Sequence, residues 1–305
     1  MLKDQSILIT GAAGQIGRFL VKRLCKLGFN VSCLDIKGSV DSADFNFLKA
    51  DIRDKTSLEV HKSILKDVKV VVHLASVINN TQNVVDDAMA SIEINVQGTL
   101  NLLEYLPDLQ HICFASTYMV YGIPHSNPVN EVHPTNPSNI YGASKLIAEK
   151  FLQVYASRRN ITLSILRFMG IYGPETPDGE RAIPTFIKLT ASEKSPLLFG
   201  TGKARRNHIY IDDAIDAILA TLRAKKLGIF NIGGNDAPSN LELVALINDI
   251  MGKKVIPTFK PEYEEHDFIL DISLAHDKIG FVPTVSMREG LKAEIDNWLA
   301  TRAGQ

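Results

Sequence analysis

Two side chains with complementary chemistry lie four residues apart in the segment Tyr141-Gly-Ala-Ser-Lys145. Residues at that spacing share one face of a helix, so a helix here brings the phenol and the ammonium together. A phenol with an ordinary pKa of about 10 is a poor base at neutral pH, but a neighbouring ammonium favours the phenolate. The pair therefore predicts a tyrosine that exchanges protons with a substrate, although the spacing alone is also typical of a solvated helix face.

The hydroxyl of Thr117 strengthens this interpretation, because Thr117 lies just after the end of the apolar, strand-like run His111–Ala115. In α/β proteins, ligands bind beyond the carboxyl ends of the strands, so this hydroxyl is positioned to meet a substrate oxygen. Thr117, Tyr141 and Lys145 are therefore the predicted catalytic residues.

Three glycines, Gly11, Gly14 and Gly17, lie where a strand-like run at Ser6–Thr10 passes into a helical pattern at Gly14–Leu27. The first permits a tight turn, the second lets the backbone approach a pyrophosphate, and the third lets the helix pack close to the sheet. The helix N-terminus adds free N–H groups and positive potential. This position between a strand and a helix predicts a dinucleotide-binding loop.

A carboxylate at Asp35 ends the second strand-like run, 24 residues after Gly11. Such a carboxylate accepts hydrogen bonds from both hydroxyls of the adenosine ribose and repels a 2′-phosphate. The sequence therefore predicts NAD rather than NADP as the cofactor. Lys37 is a nearby cation that keeps NADP open as the alternative.

The first half of the chain alternates strand-like and helix-like runs. Apolar strands that are buried on both faces, joined by right-handed crossovers, give an α/β fold with a doubly wound parallel sheet of the Rossmann type. We expect residues 1–167 to form a NAD-binding domain and residues 168–305 a smaller substrate domain, with segments at about 205–232 returning to the first. The six predicted strands are Ser6–Thr10, Asn30–Asp35, Phe47–Ala50, Val68–Leu74, His111–Ala115 and Ile161–Leu166, with helices near Lys55–Leu65, Val84–Leu106 and Tyr141–Arg158.

Composition narrows the classes of partner. A formal net charge of −1 gives no electrostatic reason to expect nucleic acid or an anionic membrane. No apolar run approaches the ~20 residues that span a bilayer, and the N-terminus has no signal-peptide pattern. Three scattered cysteines indicate reduced thiols, so a cytoplasmic location is expected. The eight histidines show no metal-ligand spacing, so no metal is expected.

Together the motifs resemble the extended short-chain dehydrogenases, and within them the NAD-dependent nucleotide-sugar epimerase/dehydratase branch. The resemblance covers nearly the whole chain and is more specific for fold and cofactor than for substrate. It is carried by Gly11–Gly17, Asp35, Asp51-Ile52, His73–Ser76, Asn95, Ser116-Thr117, Val120–Gly122, Tyr141–Lys145, Leu166–Pro174, Arg206, Tyr210–Asp213 and Gly280–Pro283.

The resemblance implies roles for individual residues. Tyr141 exchanges a proton with a sugar hydroxyl, steadied by Thr117, while hydride moves between carbon and nicotinamide. Arg206 grips the substrate diphosphate as a planar charged fork, so the implied substrate residues are Thr117, Tyr141 and Arg206. A homodimer formed through the helices near Val84–Leu106 and Tyr141–Arg158 is also implied. The implied cofactor residues are Gly11, Gly14, Gln15, Ile16, Gly17, Asp35, Asp51, Ile52, Leu74, Ala75, Ser76, Asn95, Tyr141 and Lys145.

Several positions depart from the family pattern. Dehydratases of the group carry an acidic pair after the catalytic threonine, where this chain has Tyr118 and Met119, so dehydration is not expected, and decarboxylation is disfavoured for the same reason. Position 170 is Gly, where the family has an Asn that contacts the substrate phosphates. The acidic stretch Pro261–Asp267 lacks the usual second arginine, which leaves Arg205 or Lys203 to compensate. The charge run Glu264–Asp267 within it is typical of a solvated face.

Three functions follow from this pattern. The first is a nucleotide-sugar epimerase that transiently oxidises a ring hydroxyl to a ketone, which predicts a cofactor that does not leave. The alternative is a net dehydrogenase or reductase of a keto-sugar or of a small hydroxy compound such as a uronate or an amino acid. The glycine loop together with Gly170 supports it, because both also resemble the threonine-type dehydrogenases. A non-catalytic NAD-sensing protein is disfavoured, because all three catalytic residues are present.

Overall fold

The computed structural model describes residues 5–38, 45–78, 84–174 and 181–303, and all structural statements below refer to them. The strands are β1 (Ile7–Thr10), β2 (Val31–Asp35), β3 (Asn46–Lys49), β4 (Val70–His73), β5 (His111–Thr117), β6 (Thr162–Phe168), β7 (Ile171–Tyr172), β8 (Leu197–Phe199), β9 (Ile209–Tyr210), β10 (Gly228–Ile232) and β11 (Thr258–Lys260). The helices are α1 (Gln15–Lys26), α2 (Lys55–Glu59), α3 (Lys62–Leu65), α4 (Val84–Ser91), α5 (Thr99–Glu104), α6 (Ile140–Arg159), α7 (Ala182–Ala191), α8 (Ile211–Ala224), α9 (Asn240–Met251), α10 (Ser273–Ile279) and α11 (Met287–Ala303).

A central sheet of seven strands has the order β3-β2-β1-β4-β5-β6-β10, and every neighbouring pair is parallel. The predicted doubly wound α/β sheet is therefore confirmed. Its strands are apolar throughout because both faces are buried: Ile7 and Ile9 pack toward α1 and α8, whereas Leu8 packs toward α5 and α6. Each predicted strand corresponds to one of β1 to β6, with ends that differ by one or two residues.

Two predicted helices are more complex than expected. The run near Lys55–Leu65 forms two short helices, α2 and α3, and the run near Val84–Leu106 contains a π-helical stretch, Ile92–Gly98, between α4 and α5. A Cβ on Gly98 would lie 2.6 Å from the Ile52 side chain, so this stretch packs closely on the segment after β3. Apolar periodicity does not register such changes in helical winding, because they leave the buried face in place.

The C-terminal elements form a further layer beside the sheet. Phe186 of α7, Leu243 of α9 and Leu291 of α11 belong to one apolar cluster, while β10 returns to the central sheet next to β6. The division of the chain at residue 167 stays a prediction. None of the described helices combines the length and apolar character that a membrane span requires.

Candidate functional site

A cleft of about 690 Å³ opens where β1, β4, β5 and β6 end. Ten of the predicted site residues line it: Gly11, Gly14, Gln15, Ile16, Gly17, Leu74, Ser76, Thr117, Tyr141 and Arg206. The remaining predicted residues are not part of this lining, and they are Asp35, Asp51, Ile52, Ala75, Asn95 and Lys145.

The glycine loop is shaped for a pyrophosphate. Gly11 has a φ of +68°, and a Cβ on it would lie 2.7 Å from the Ala75 backbone nitrogen. A Cβ on Gly17 would lie 2.3 Å from the Gly11 carbonyl oxygen, so any side chain there would push α1 away from β1. Gly14 caps α1 with no side-chain hydrogen bond and no acidic residue follows in the first turn, which leaves the N–H groups of that turn to an anion.

Asp35 is oriented by the same loop. One carboxylate oxygen accepts a hydrogen bond from the Ala13 N–H at 2.9 Å and the other accepts one from the Lys37 N–H at 2.9 Å. Each oxygen keeps a further lone pair for a ribose hydroxyl. Asp51 differs, because the Arg53 guanidinium binds its carboxylate at 2.6 Å and holds the pKa of Asp51 below its usual range.

Asn95 lies outside the cleft lining and joins two of its walls. Its Oδ1 accepts a hydrogen bond from the Val77 N–H at 2.8 Å, and its Nδ2 donates to the Val77 carbonyl at 3.1 Å and to the Ser144 hydroxyl at 2.9 Å. These bonds fasten the segment after β4 to α6, which carries Tyr141 and Lys145. Direct contact between Asn95 and the cofactor stays a prediction.

The buried side chain of His73 joins β1, β4 and α5 by hydrogen bonds. His73 Nε2 bonds the Thr99 hydroxyl at 2.8 Å, and that hydroxyl donates to the Asn95 carbonyl, so Nε2 must carry the hydrogen. Nδ1 therefore accepts from the Thr10 hydroxyl at 2.7 Å, and the Ala75 N–H donates to the same Thr10 oxygen. Burial lowers the pKa of His73 to about 3, which keeps this neutral tautomer in place.

The start of α6 is held beside the end of β5. Asn139 caps the helix by accepting a hydrogen bond from the Gly142 N–H at 2.7 Å. A Cβ on Gly142 would lie 2.6 Å from the Met119 carbonyl oxygen, so only glycine allows this approach. Tyr141 thereby reaches the cleft that Thr117 also lines.

Thr117 and Tyr141 differ in how their hydroxyls are engaged. The Thr117 oxygen accepts from the Met119 N–H at 3.3 Å, which leaves its hydrogen to be donated to a ligand. Burial raises the pKa of Tyr141, while a hydrogen bond with Ser76 and the charge of Arg181 oppose this rise. In this structure, Ser76 and Arg181 are the groups that lower the pKa of Tyr141. A lowering of the Tyr141 pKa by Lys145 stays a prediction.

The Lys145 ammonium is buried behind the cleft, 4.1 Å from the centre of the Phe114 ring. Burial lowers the pKa of Lys145 to about 7, and the negative charge of Glu149, one turn further along α6, acts in the opposite direction. Because this pKa lies near neutrality, the charge of Lys145 changes within the physiological pH range.

A buried ion pair that the sequence did not reveal locks the catalytic elements together. Glu149 on α6 accepts hydrogen bonds from the Arg167 Nη2 on β6 at 2.7 Å and from the Ser116 hydroxyl on β5. The Arg167 guanidinium also lies 4.7 Å from the centre of the Tyr121 ring. Removing one partner of such a pair costs about 3–5 kcal/mol. In the sequence, Glu149 is visible only as a residue four positions after Lys145. Its pairing with Arg167 is formed only in the fold.

The substrate side of the cleft carries two arginines. Arg206 lines the cleft as predicted, and Arg181 at the start of α7 does so without having been predicted. The Arg205 Nε donates to the Ala237 carbonyl at 2.8 Å, and neither Arg205 nor Lys203 lines the cleft. Arg181 is therefore the second cation of the site, and its distance of 25 positions from Arg206 leaves no local sequence signal.

The acidic stretch at 261–267 is largely exposed, as expected of a solvated face, and two of its carboxylates also bind the neighbouring loop. The Glu265 carboxylate accepts hydrogen bonds from the Thr201 N–H at 2.9 Å, the Ala204 N–H at 3.3 Å and the Thr201 hydroxyl. Asp267 accepts one from the Arg205 N–H at 2.8 Å. Both carboxylates therefore clip the loop that leads to Arg206.

The described residues include no group of three or more His, Cys, Asp and Glu side chains arranged to hold a metal ion. Ordered donors and acceptors are instead available to an anion and to hydroxyl groups. The N–H groups at the start of α1, the Asp35 carboxylate and the Thr117–Tyr141 pair fit the pyrophosphate, the ribose and the reacting end of NAD with its substrate.

Comparison with known proteins gives consistent matches. Residues 7–233 match the model of the NAD dependent epimerase/dehydratase family. The putative UDP-glucose 4-epimerase of Methanocaldococcus jannaschii is 37% identical over 96% of this chain and 98% of its own length. The structure of UDP-glucuronic acid 4-epimerase from Bacillus cereus in complex with NAD is 31% identical, with a TM-score of 0.85 over 97% of this chain and 99% of that one. The Thermotoga maritima UDP-glucose 4-epimerase with UDP-glucose is 28% identical, with a TM-score of 0.86 over 98% and 100% of the two chains.

Proposed function

This chain belongs to the NAD dependent epimerase/dehydratase family, and from that premise we propose that it epimerises a UDP-hexose at C4. The predicted family, the NAD cofactor and the enzyme class are confirmed by the matches. The UDP moiety and the C4 position are supported by the names of the relatives, three of which are 4-epimerases of UDP-sugars.

One observation carries the proposal. The same cleft is lined by the glycine loop, by the Thr117–Tyr141 pair and by Arg206. A loop for a dinucleotide, a proton-exchanging group and a cation for a diphosphate thus line one cleft. At about 690 Å³, that volume is within the range of pockets that hold drug-sized ligands.

The chain's own residues perform the proton chemistry. Tyr141 takes the proton of a sugar hydroxyl and later returns it, and the Thr117 hydroxyl donates a hydrogen bond to the same sugar oxygen. When bound, NAD accepts hydride from the sugar carbon and gives it back. The positive charge of Lys145 favours the phenolate that this exchange requires. Arg206 binds the diphosphate and so keeps the substrate in the cleft while the oxidised sugar rotates to present its opposite face.

Elimination is not supported by the lining of the cleft. Tyr118 and Met119 occupy the two positions after Thr117, and both line the cleft. Neither side chain exchanges a proton at carbon as a carboxylate does. The oxidised sugar therefore returns to a hydroxyl instead of losing water or carbon dioxide.

The first test uses protein purified without added cofactor. We expect near-stoichiometric NAD to be released on denaturation and identified by chromatography and mass. The intact protein is then incubated with UDP-glucose, UDP-galactose, UDP-N-acetylglucosamine and UDP-glucuronic acid. We expect one of them to form its C4 epimer without accumulation of NADH. Accumulation of NADH in proportion to the sugar consumed would replace the proposal by net dehydrogenation, which Gly170 also favours.

We also propose a homodimer formed by α4 and α6, which pack against each other. Val85 and Met89 on α4 are 68% and 53% exposed, and Phe151 and Val154 on α6 are 50% and 56% exposed. Spacings of three and four residues place each pair on one helical face, so the two helices present one apolar stripe. Exposed stripes of this kind mark interfaces, and a second copy offers the same stripe in return.

Size-exclusion chromatography with light scattering tests the dimer. Phe151→Glu places a charge in the stripe and is expected to give monomers, whereas Val60→Glu, at a 77% exposed position in another region, is the control and leaves the dimer intact. A monomeric wild-type protein would reject this interface.

A cytoplasmic location is proposed on the state of the cysteines. Cys25, Cys33 and Cys113 are free, and Cys33 and Cys113 are buried with pKa values raised to about 12. Buried thiols of this kind are inert and suit a reducing compartment. Thiols are titrated in denatured protein that was isolated under alkylation-free conditions. Three free thiols would agree with a cytoplasmic location, whereas a disulfide would contradict it.

A further inference from the structure

The departure at position 170 is matched by the side chain that lies against it, that of His208. A Cβ on Gly170 would lie 2.7 Å from the His208 Nδ1 and 3.1 Å from its Cε1. The imidazole ring therefore occupies the space that any side chain at position 170 needs. Glycine is required here because His208 is present, and the polar group offered to the cleft is that of His208.

The backbone fixes the position of this ring. Thr117 on β5 pairs in register with Phe168 on β6, and Gly170 follows two residues later, beyond the same strand end. The Gly170 carbonyl accepts a hydrogen bond from the Ile209 N–H at 3.1 Å, which ties His208 to that end of the sheet. His208 also lies two residues after Arg206, and alternate residues of an extended segment point the same way. Both side chains line the cleft.

Hydrogen bonding assigns the polarity of the ring. The His208 Nδ1 lies 3.3 Å from the Gly170 carbonyl oxygen, which can only accept, so Nδ1 carries the hydrogen. Burial and the neighbouring charge of Arg206 lower the pKa of His208 to about 4, so the ring is neutral at physiological pH. A neutral imidazole with its hydrogen on Nδ1 has a lone pair on Nε2. The ring thus offers an acceptor to a ligand.

An acceptor at this place changes what the site can bind. An Asn at position 170 contacts phosphate oxygens, which are acceptors and must be met by a donor. The Nε2 lone pair repels phosphate oxygens and pairs with a hydroxyl hydrogen. We infer that His208 is a specificity-determining residue that accepts a hydrogen bond from a hydroxyl of the sugar, an inference that rests on the proposed nucleotide-sugar function.

The test combines two variants with deoxygenated substrates. His208→Phe keeps a planar ring over Gly170 but removes both nitrogens, whereas His208→Gln keeps a side-chain acceptor. The kcat/KM of each protein is measured with the accepted UDP-hexose and with its 2-, 3- and 6-deoxy analogues, and bound NAD is quantified in every preparation. Because the reacting centre is C4, none of these analogues removes the reacting hydroxyl.

We expect the wild type to lose about 10–100-fold in kcat/KM with one analogue, since the buried acceptor is then left unpaired. His208→Phe should show this loss already with the parent sugar and no further loss with that analogue, and His208→Gln should lie between the two. Equal losses in wild type and His208→Phe for all three analogues would overturn the inference. So would a His208→Phe protein with unchanged kcat/KM on the parent sugar. If His208→Phe does not fold, the same comparison is made with His208→Gln, for which we expect a partial coupling. The absence of any coupling in His208→Gln would then overturn the inference.

Calorimetric titration of the NAD-loaded proteins with UDP-glucose and its deoxy analogues separates this inference from the proposed function. Turnover without coupling to position 208 rejects the inference alone. Binding that shows the coupling, without epimer formation, rejects the proposed function alone. A protein that neither binds nor converts any nucleotide sugar rejects both.

Discussion

The two sides of the cleft are built in different ways. The cofactor side uses loops that directly follow β1, β2 and β4, and its glycines and Asp35 follow the pattern of the family. The substrate side uses Gly170, Arg181, Arg206 and His208, which come from short elements after β6, and Gly170 departs from that pattern. A dinucleotide has one chemical structure and so demands one arrangement, whereas substrates differ and leave their side of the cleft free to vary.

The supporting interactions differ in the same sense. Neutral hydrogen bonds through Thr10, His73 and Asn95 hold the cofactor side. On the substrate side, two carboxylates, Glu265 and Asp267, clip the loop before Arg206 through backbone N–H groups. These two acidic residues therefore hold the loop that leads to Arg206.

The largest effect is expected where the two sides meet. Tyr141→Phe removes the phenolic proton and is expected to lower kcat by about 10³-fold, as loss of a general acid–base group does. Bound NAD should stay near its wild-type content, because the glycine loop and Asp35 are unchanged. Epimer formation and released NAD are measured on the same preparation. A variant that holds NAD and keeps more than a tenth of the activity would show that Tyr141 is not the proton-exchanging group.

The next effect concerns the substrate side alone. Arg206→Ala is expected to raise the KM for the nucleotide sugar by about 10–100-fold, because charge-assisted hydrogen bonds to the diphosphate are lost. Arg205→Ala is the matched control, since the Arg205 guanidinium bonds the Ala237 carbonyl outside the cleft. Its KM should change by no more than about threefold. Equal effects of the two changes would remove Arg206 from the substrate site.

A smaller effect distinguishes the cofactor side. Asp35→Ser removes the charge that repels a 2′-phosphate, so we expect the affinity ratio of NADP to NAD to rise by about tenfold. Lys37 then provides a nearby cation for the phosphate. Asp51→Asn is the control, because the Asp51 carboxylate is engaged by Arg53 and its loss should leave the ratio unchanged. Titration of cofactor-free protein with both dinucleotides measures the ratio, and a wild type that prefers NADP would contradict the role of Asp35.

The smallest effect is a change of stability with pH. The pKa of Lys145 is about 7 in the folded protein and about 10.4 when the chain is unfolded. Between these values the unfolded chain binds more protons, so the free energy of unfolding rises with pH, by at most about 1.4 kcal/mol per pH unit. This contribution should be absent in Lys145→Met.

Urea denaturation of NAD-free wild type and Lys145→Met between pH 7 and pH 9 measures the difference in slope, and effects of Cys33 and Cys113 cancel in it. The slope of the wild type is expected to be the more positive. Parallel curves would mean that Lys145 titrates well above this range in the folded protein.

Patterns that are local in the chain were sufficient for much of the architecture. The strands β1 to β6 were predicted because burial on both faces requires continuous apolar runs. Tyr141 and Thr117 were predicted because one lies at the start of a recognisable helix and the other at the end of a recognisable strand. The π-helical stretch at Ile92–Gly98 was not predicted, because it leaves apolar periodicity intact. The Glu149–Arg167 pair was missed because its partners lie on α6 and β6, and only the packing of helix on sheet brings them together.

The sequence by itself determined the fold class and predicted the cofactor loop and the proton-exchanging groups, since each depends on residues close together in the chain. Only the tertiary structure showed that Arg181 lines the same cleft as Arg206, because the two residues belong to elements far apart in sequence. The tertiary structure also explains why position 170 is a glycine. As a sequence feature this residue is only a missing side chain, whereas in three dimensions it is the space that the His208 ring fills.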